Sequence, residues 1–214
     1  MAENVKVLSF SDIGLQGESQ SFLFVAYKNV SWRIIALVEP KENIPTNKNQ
    51  TTFFDKCSRK IETDLAQVRS DLVKVLDNRQ TLLMQSDLLE TFCHMLEGDS
   101  HHNLARITTE EEERKAAINS SHQAYKLAMD SAEQSLVPTH PIRLGLALNY
   151  SVFVDEMLNS RDQACHVAKS SFDNAISGSS ETIEAELEAL GEESRKDAVL
   201  ILGLLRDNLT AWDS

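Results

Sequence analysis

The chain has few of the residues that interrupt helices, with only 7 glycines and 4 prolines among its 214 residues. In a helix interior, glycine costs about 1 kcal/mol and proline about 3 kcal/mol relative to alanine. Their scarcity therefore favours long helices. It also nearly excludes a glycine-rich phosphate-binding loop, and neither GxGxxG nor GxxxxGK[ST] occurs in the sequence.

Cysteine is also scarce, and the three cysteines lie far apart without a CxxC pair. An odd, widely spaced set is typical of a reduced intracellular protein. No hydrophobic run approaches the roughly 18 residues of a membrane span, and the first residues lack the apolar core of a signal peptide. We therefore expect a soluble, cytoplasmic protein that does not act in a membrane.

Positive charge is the third deficit, because 21 Lys and Arg face 33 Asp and Glu, which leaves a net charge of −12. An acidic surface repels nucleic acid and anionic lipid, so we expect neither as a partner. Hydrophobic residues still make up 42% of the chain. That fraction is too high for a disordered chain and is sufficient for a substantial core.

Helical periodicity dominates from about Ser19 onward, whereas residues 1–18 are predicted to be irregular. A polar loop is predicted over 99–107, because Gly98 should stop the helix before it. Thr139 is predicted to be an N-cap, with Pro141 in the first turn of the helix that follows. We expect an irregular segment, 1–18, and one all-α antiparallel domain, 19–214. Its predicted helices cover 19–39, 53–77, 81–97, 109–136, 139–158, 161–176, 181–190 and 194–212.

No arrangement of catalytic or metal-binding residues stands out, and the motifs GxSxG and HExxH are absent. His94, His101 and His102 lie near Cys93, but His101 and His102 fall in the predicted loop, where exposed histidines are ordinary. Asp87, Glu90 and His94 share a helical spacing, yet no convergent partner accompanies them. We therefore predict a protein with no metal, no cofactor and no enzymatic activity.

Several segments are similar to the 14-3-3 family, and together they cover most of residues 22–212. The resemblance implies a curved, antiparallel helical bundle that dimerises through its first helices. It also implies an amphipathic groove that binds phosphoserine or phosphothreonine peptides. The matching segments are VAYKNV at 25–30, SWRII at 31–35, KIETDL at 60–65, PTHPIRLGLALNYSVF at 138–153, SRDQACHVAKSSFDNAI at 160–176 and EESRKDAVLILGLLRDNLTAW at 192–212.

The resemblance assigns one groove wall almost completely. Asn149 and Asn208 match asparagines that hold the peptide backbone, which suits a side chain that both donates and accepts hydrogen bonds. Lys28 matches a groove lysine, and Glu156 matches an acid near the groove. An ordinary core role remains open for the leucines of the apolar set. That set is Leu148, Val152, Leu200, Leu204 and Trp212.

The phosphate-binding positions depart from the family pattern. Glu90 and Thr91 stand where the family has an adjacent Arg-Tyr pair. The family also has an arginine in a short segment that is missing at the junction of Val30 and Ser31. A phosphate needs several converging cationic donors, so this pattern predicts a weakened phosphate pocket.

Two further expectations follow from the same comparison. Lys28 lies close to the start of the sequence, so the resemblance predicts first helices that are shortened or missing. The expected partners are phosphorylated or unphosphorylated protein segments, with a second 14-3-3 chain in a homodimer or heterodimer. The alternative function is a phosphate-independent scaffold or chaperone-like module that uses the apolar wall.

Overall fold

The computed structural model describes residues 82–213, together with Lys56, Arg59, Lys60 and Thr63. Those four earlier residues are helical, as the predicted helix over 53–77 requires. The rest of that helix, the predicted helix over 19–39, the irregular segment 1–18 and the shortened first helices lie outside the described residues. Lys28 and the junction of Val30 and Ser31 lie outside them as well.

The described residues form six α-helices and no strand, which confirms the all-α prediction. Short connections join consecutive helices, and none of the helices in this part of the chain is long and apolar enough to cross a membrane. The helices are α1 (Leu82–Ile107), α2 (Glu111–Ser135), α3 (Pro141–Leu158), α4 (Arg161–Ile176), α5 (Ser180–Ala189) and α6 (Glu192–Trp212).

The predicted stop of α1 at Gly98 is wrong, because the helix continues to Ile107. Gly98 is needed for close packing, since a Cβ atom there would lie 2.7 Å from Cδ1 of Tyr125 on α2. The Ser121 hydroxyl also donates to the Gly98 carbonyl at 2.8 Å. The predicted loop over 99–107 is therefore helical, and His102 is buried within it.

The N-cap of α3 is His140, whereas the sequence had predicted Thr139. His140 has the extended backbone of a capping residue, and its Nδ1 accepts from the Ile142 amide at 3.2 Å. The Thr139 hydroxyl instead donates to the Glu186 carboxylate on α5 at 2.8 Å. Pro141 does occupy the first turn, where its missing amide proton leaves no bond unmade.

The described residues fall into two compact units, one ending at Ser131 and the other beginning at Ala132. In the second unit, α3 packs against α4 and α6, α4 packs against α6, and α5 packs against α6. Every residue from Leu144 to Val154 is buried, so this central part of α3 is covered on all sides. A helix covered in this way must be apolar around its whole circumference, as the LGLALNYSVFV sequence largely is.

Candidate functional site

The two asparagines assigned to the groove both lie in the second unit. Asn149 on α3 and Asn208 on α6 are buried, and these two helices pack against each other. Leu148 and Val152 are also fully buried beside Asn149. For these two apolar residues, the core role left open by the sequence is the one that the structure displays.

The apolar residues of α6 are more accessible to a ligand than Leu148 and Val152 on α3. Leu200 is 39% exposed, and its neighbour Val199 is 59% exposed. Leu204, one turn after Leu200, and Glu156 on α3 are partly exposed. Sequence reasoning missed Val199, because periodicity alone does not distinguish an exposed valine at the edge of a helix face from a core residue.

Trp212 is the last residue of α6 and is buried, and its indole N–H forms a hydrogen bond. Its indole Nε1 donates to Oδ2 of Asp155 on α3 at 3.0 Å. The other carboxylate oxygen of Asp155 accepts from Nε of Arg161, the first residue of α4, at 3.2 Å. Sequence reasoning missed Asp155. The available signal was the need of a buried tryptophan for a hydrogen-bond acceptor.

The predicted phosphate-site positions lie on α1, in the first unit. Thr91 is completely buried, and its hydroxyl shares a hydrogen bond with the Ser131 hydroxyl on α2 at 2.7 Å. Glu90 is the opposite case, with a side chain that is 58% exposed. Thr91 therefore belongs to the interface between α1 and α2, whereas Glu90 presents its negative charge to solvent.

His94 lies between two carboxylates on the same face of α1. Its Nε2 is 3.8 Å from Oε1 of Glu90, and its Nδ1 is 3.5 Å from Oε2 of Glu97. The carboxylates approach opposite ring nitrogens, so they cannot share one metal ion with the imidazole. Among residues 82–213, no group of three or more His, Cys, Asp and Glu residues could hold a metal.

Burial and neighbouring acidic residues raise the pKa of the partly buried Cys165 thiol on α4. Burial is the largest cause that raises the pKa of Cys165, followed by the nearby charges of Asp213, Asp162 and Asp155, while Arg161 acts in the opposite direction. A raised thiol pKa means less thiolate and a slower reaction with electrophiles. The surroundings of Cys165 therefore do not suit a nucleophile.

Comparison with known proteins identifies the family of this chain. The model of the family described as "14-3-3 protein" matches residues 1–213. The chain is 47% identical to the 14-3-3 family protein artA of Aspergillus flavus, covering 100% of this chain and 89% of that protein. It is 43% identical to Protein BMH2 of Saccharomyces cerevisiae, with 100% and 78% covered. It is 47% identical to the 14-3-3-like protein GF14 omega of Arabidopsis thaliana, with 92% and 75% covered. The chain therefore belongs to the 14-3-3 family of non-enzymatic adaptor proteins.

Proposed function

We propose that this 14-3-3 adaptor binds partner segments in an amphipathic groove, with little dependence on phosphate. The burial of Thr91 carries the proposal. Its side chain is completely buried and its hydroxyl shares a hydrogen bond with Ser131, so a ligand cannot reach the residue that we align with the family's tyrosine. A tyrosine at this buried position would displace its neighbours. Such overpacking typically costs about 1–3 kcal/mol.

Glu90 supports the same conclusion through its charge. A charge-assisted hydrogen bond is worth about 1.5–3 kcal/mol, and a glutamate at the position of an arginine removes that contact. Because Glu90 is largely exposed, its carboxylate also faces an approaching phosphate with the same sign of charge. At about 4 Å, two like charges in water repel by about 1 kcal/mol. The negative charge of Glu90 therefore weakens phosphate binding beyond the loss of the arginine's hydrogen bond.

The wall residues on α3 and α6 are the ones we propose to contact the peptide. Asn149, Asn208 and Glu156 would supply the polar contacts, and Lys28 would supply a cationic one. An extended peptide needs its backbone amides satisfied, and a carboxamide can donate and accept at once. The proposed apolar contacts come from Leu200, Leu204 and Trp212, and the fully buried Leu148 and Val152 support that wall from the core.

The test is fluorescence-anisotropy titration with a phosphoserine peptide that binds conventional 14-3-3 proteins, beside its unphosphorylated twin. We expect the two dissociation constants to differ by less than about tenfold, equivalent to 1.4 kcal/mol. Strong preference for the phosphorylated peptide would contradict the proposal, because it would require a phosphate site built from other residues.

The second candidate is a scaffold or chaperone-like module that uses the apolar wall alone. The exposed side chains of Val199 and Leu200 on α6 favour it. Under this reading, Leu200→Asp should abolish capture of unfolded client chains, whereas Ile176→Asp on α4, at a separate exposed apolar position, should not. Equal capture by both variants would rule out the α6 surface as the binding face.

Membership in the family also leads us to propose that the chain pairs with a second 14-3-3 chain, as a homodimer or heterodimer. Analytical ultracentrifugation at micromolar concentration tests this directly. A single species at the monomer mass of 24.0 kDa would contradict the homodimer. Mixing with a second 14-3-3 protein then tests the heterodimer.

A further inference from the structure

Asp155 connects the ends of three helices. It lies in the last turn of α3 and accepts hydrogen bonds from the first residue of α4, Arg161, and from the last residue of α6, Trp212. The distances are 3.2 Å from Nε of Arg161 and 3.0 Å from Nε1 of Trp212. Both carboxylate oxygens are therefore used, one for each partner.

The location of this carboxylate is unfavourable unless it has such partners. A negative charge at the C-terminal end of a helix opposes the helix dipole, typically by about 0.3–1 kcal/mol. The side chain of Asp155 is also only 12% exposed, so water does little to stabilise its charge. The guanidinium of Arg161 and the indole N–H of Trp212 offset both effects, because each donates a hydrogen bond to the carboxylate.

The indole contact lies next to the proposed groove residues of α6. Asn208 and Trp212 are four residues apart, so they occupy the same face of the helix. Both are buried, and Trp212 is the last residue of the helix, where fraying is expected. A hydrogen bond from its ring to Asp155 on α3 restrains the last turn of α6, which directly follows Asn208.

We propose that Asp155 is a positioning residue that fixes the Trp212 indole, and with it the last turn of α6, for binding of a partner segment. The inference rests on the proposed function, because it assumes that this end of α6 contacts the partner. Asp155 itself does not touch the partner. It acts through the orientation of Trp212.

The experiment compares Asp155→Ala with Asp155→Asn, and with Asp162→Ala as a matched control. Asparagine keeps an acceptor oxygen for the indole, whereas alanine removes it. Asp162 is an exposed carboxylate on the neighbouring helix α4, close to the same cysteine. The first readout is the indole N–H resonance of Trp212 in a ¹H–¹⁵N NMR spectrum, assigned with Trp212→Phe. The second is anisotropy binding of the phosphoserine peptide and its unphosphorylated twin.

We expect Asp155→Ala to shift and broaden the Trp212 indole resonance and to weaken binding of the peptide by about three- to tenfold, the effect of one lost hydrogen bond. Asp155→Asn should restore most of both signals, and Asp162→Ala should change neither. A reduction in binding without a change in the indole resonance would overturn the positioning role. So would an altered resonance with unchanged affinity.

The proposed function fails separately from this inference. If the unaltered protein binds neither peptide, the proposed groove is wrong, and the positioning role in binding falls with it. The indole resonance still decides whether Asp155 holds Trp212, because that readout needs no ligand.

Discussion

At the residue scale, two adjacent positions on α1 have opposite environments. Thr91 is buried and bonded to Ser131, whereas Glu90 is exposed and lies beside His94. Adjacent helical residues point about 100° apart, so one can pack between helices while the next faces solvent. A change at Glu90 therefore alters the surface charge, and a change at Thr91 alters the packing.

Glu90→Arg should strengthen binding of a phosphoserine peptide by roughly tenfold or more, because it replaces a repulsive charge with a charge-assisted donor. The control is Glu97→Arg, which makes the same charge change on the same face and also loses a contact with His94. Anisotropy titration of both variants separates a local phosphate contact from a change in overall charge. An equal gain in the two variants would show that Glu90 does not occupy a phosphate site.

At the element scale, the ends and crossings of helices depend on particular contacts. α1 continues through Gly98, and this residue must lack a side chain because the Tyr125 ring occupies the space that a Cβ would need. α3 is capped by His140, whose ring Nδ1 accepts a hydrogen bond from the Ile142 amide. α6 follows Gly191, whose φ of 85° is one that residues with a side chain rarely adopt.

Two helical glycines should respond oppositely to alanine. Gly98→Ala should destabilise the protein by about 1–3 kcal/mol, because the new methyl group would overlap the Tyr125 ring. Gly203→Ala on α6 should stabilise it by about 0.5–1 kcal/mol, because a Cβ there meets nothing within 4 Å and alanine favours a helix. Urea denaturation of both variants measures the difference. A stabilising Gly98→Ala would contradict the close packing of α1 against α2.

The cap of α3 should make the protein less stable in acid. Burial lowers the pKa of His140 from 6.5 to about 4, so the folded state disfavours its protonated form. The unfolded chain binds more protons between these values, so this contribution to stability is complete above about pH 6.5. It is lost as pH falls toward about 4, by up to about 3 kcal/mol.

His140→Asn provides the comparison for this pH effect, since asparagine can cap a helix but does not titrate. Urea unfolding at pH 7.5 and pH 4.5 should show a smaller loss of stability in the variant than in the unaltered protein. Identical pH dependence of the two proteins would place the acid sensitivity at other groups.

At the scale of the whole molecule, net charge controls how the protein meets an anionic ligand. With a charge of −12, the protein repels a phosphopeptide unless a local cationic site offsets the repulsion. Salt screens such repulsion over a Debye length of about 10 Å at 0.1 M.

The affinity for a phosphoserine peptide should therefore stay constant or rise between about 50 and 500 mM salt, because screening reduces repulsion more than attraction. The unphosphorylated twin controls for effects of salt on the apolar contacts. A clear loss of phosphopeptide affinity with salt, absent for the twin, would indicate an attractive phosphate site and contradict the proposed weakening.

The sequence by itself determined the family, the all-helical class, the bounds of the helix over 161–176 and the C-terminal end of α3 at Leu158. These properties depend on local composition, on periodicity and on long motifs such as PTHPIRLGLALNYSVF and LLRDNLTAW. The assignment of Glu90 and Thr91 to the phosphate positions also comes from the resemblance alone, and it stays a prediction.

Only the tertiary structure decided how individual residues are used. Gly98 lies inside a helix where a ring from α2 packs against it, and Thr139 does not cap α3 because its hydroxyl bonds to α5. The hydrogen bonds of Thr91 with Ser131 and of Trp212 with Asp155 each join residues dozens of positions apart. Such contacts depend on how helices pack, and the local propensities that determine a helix do not contain that information.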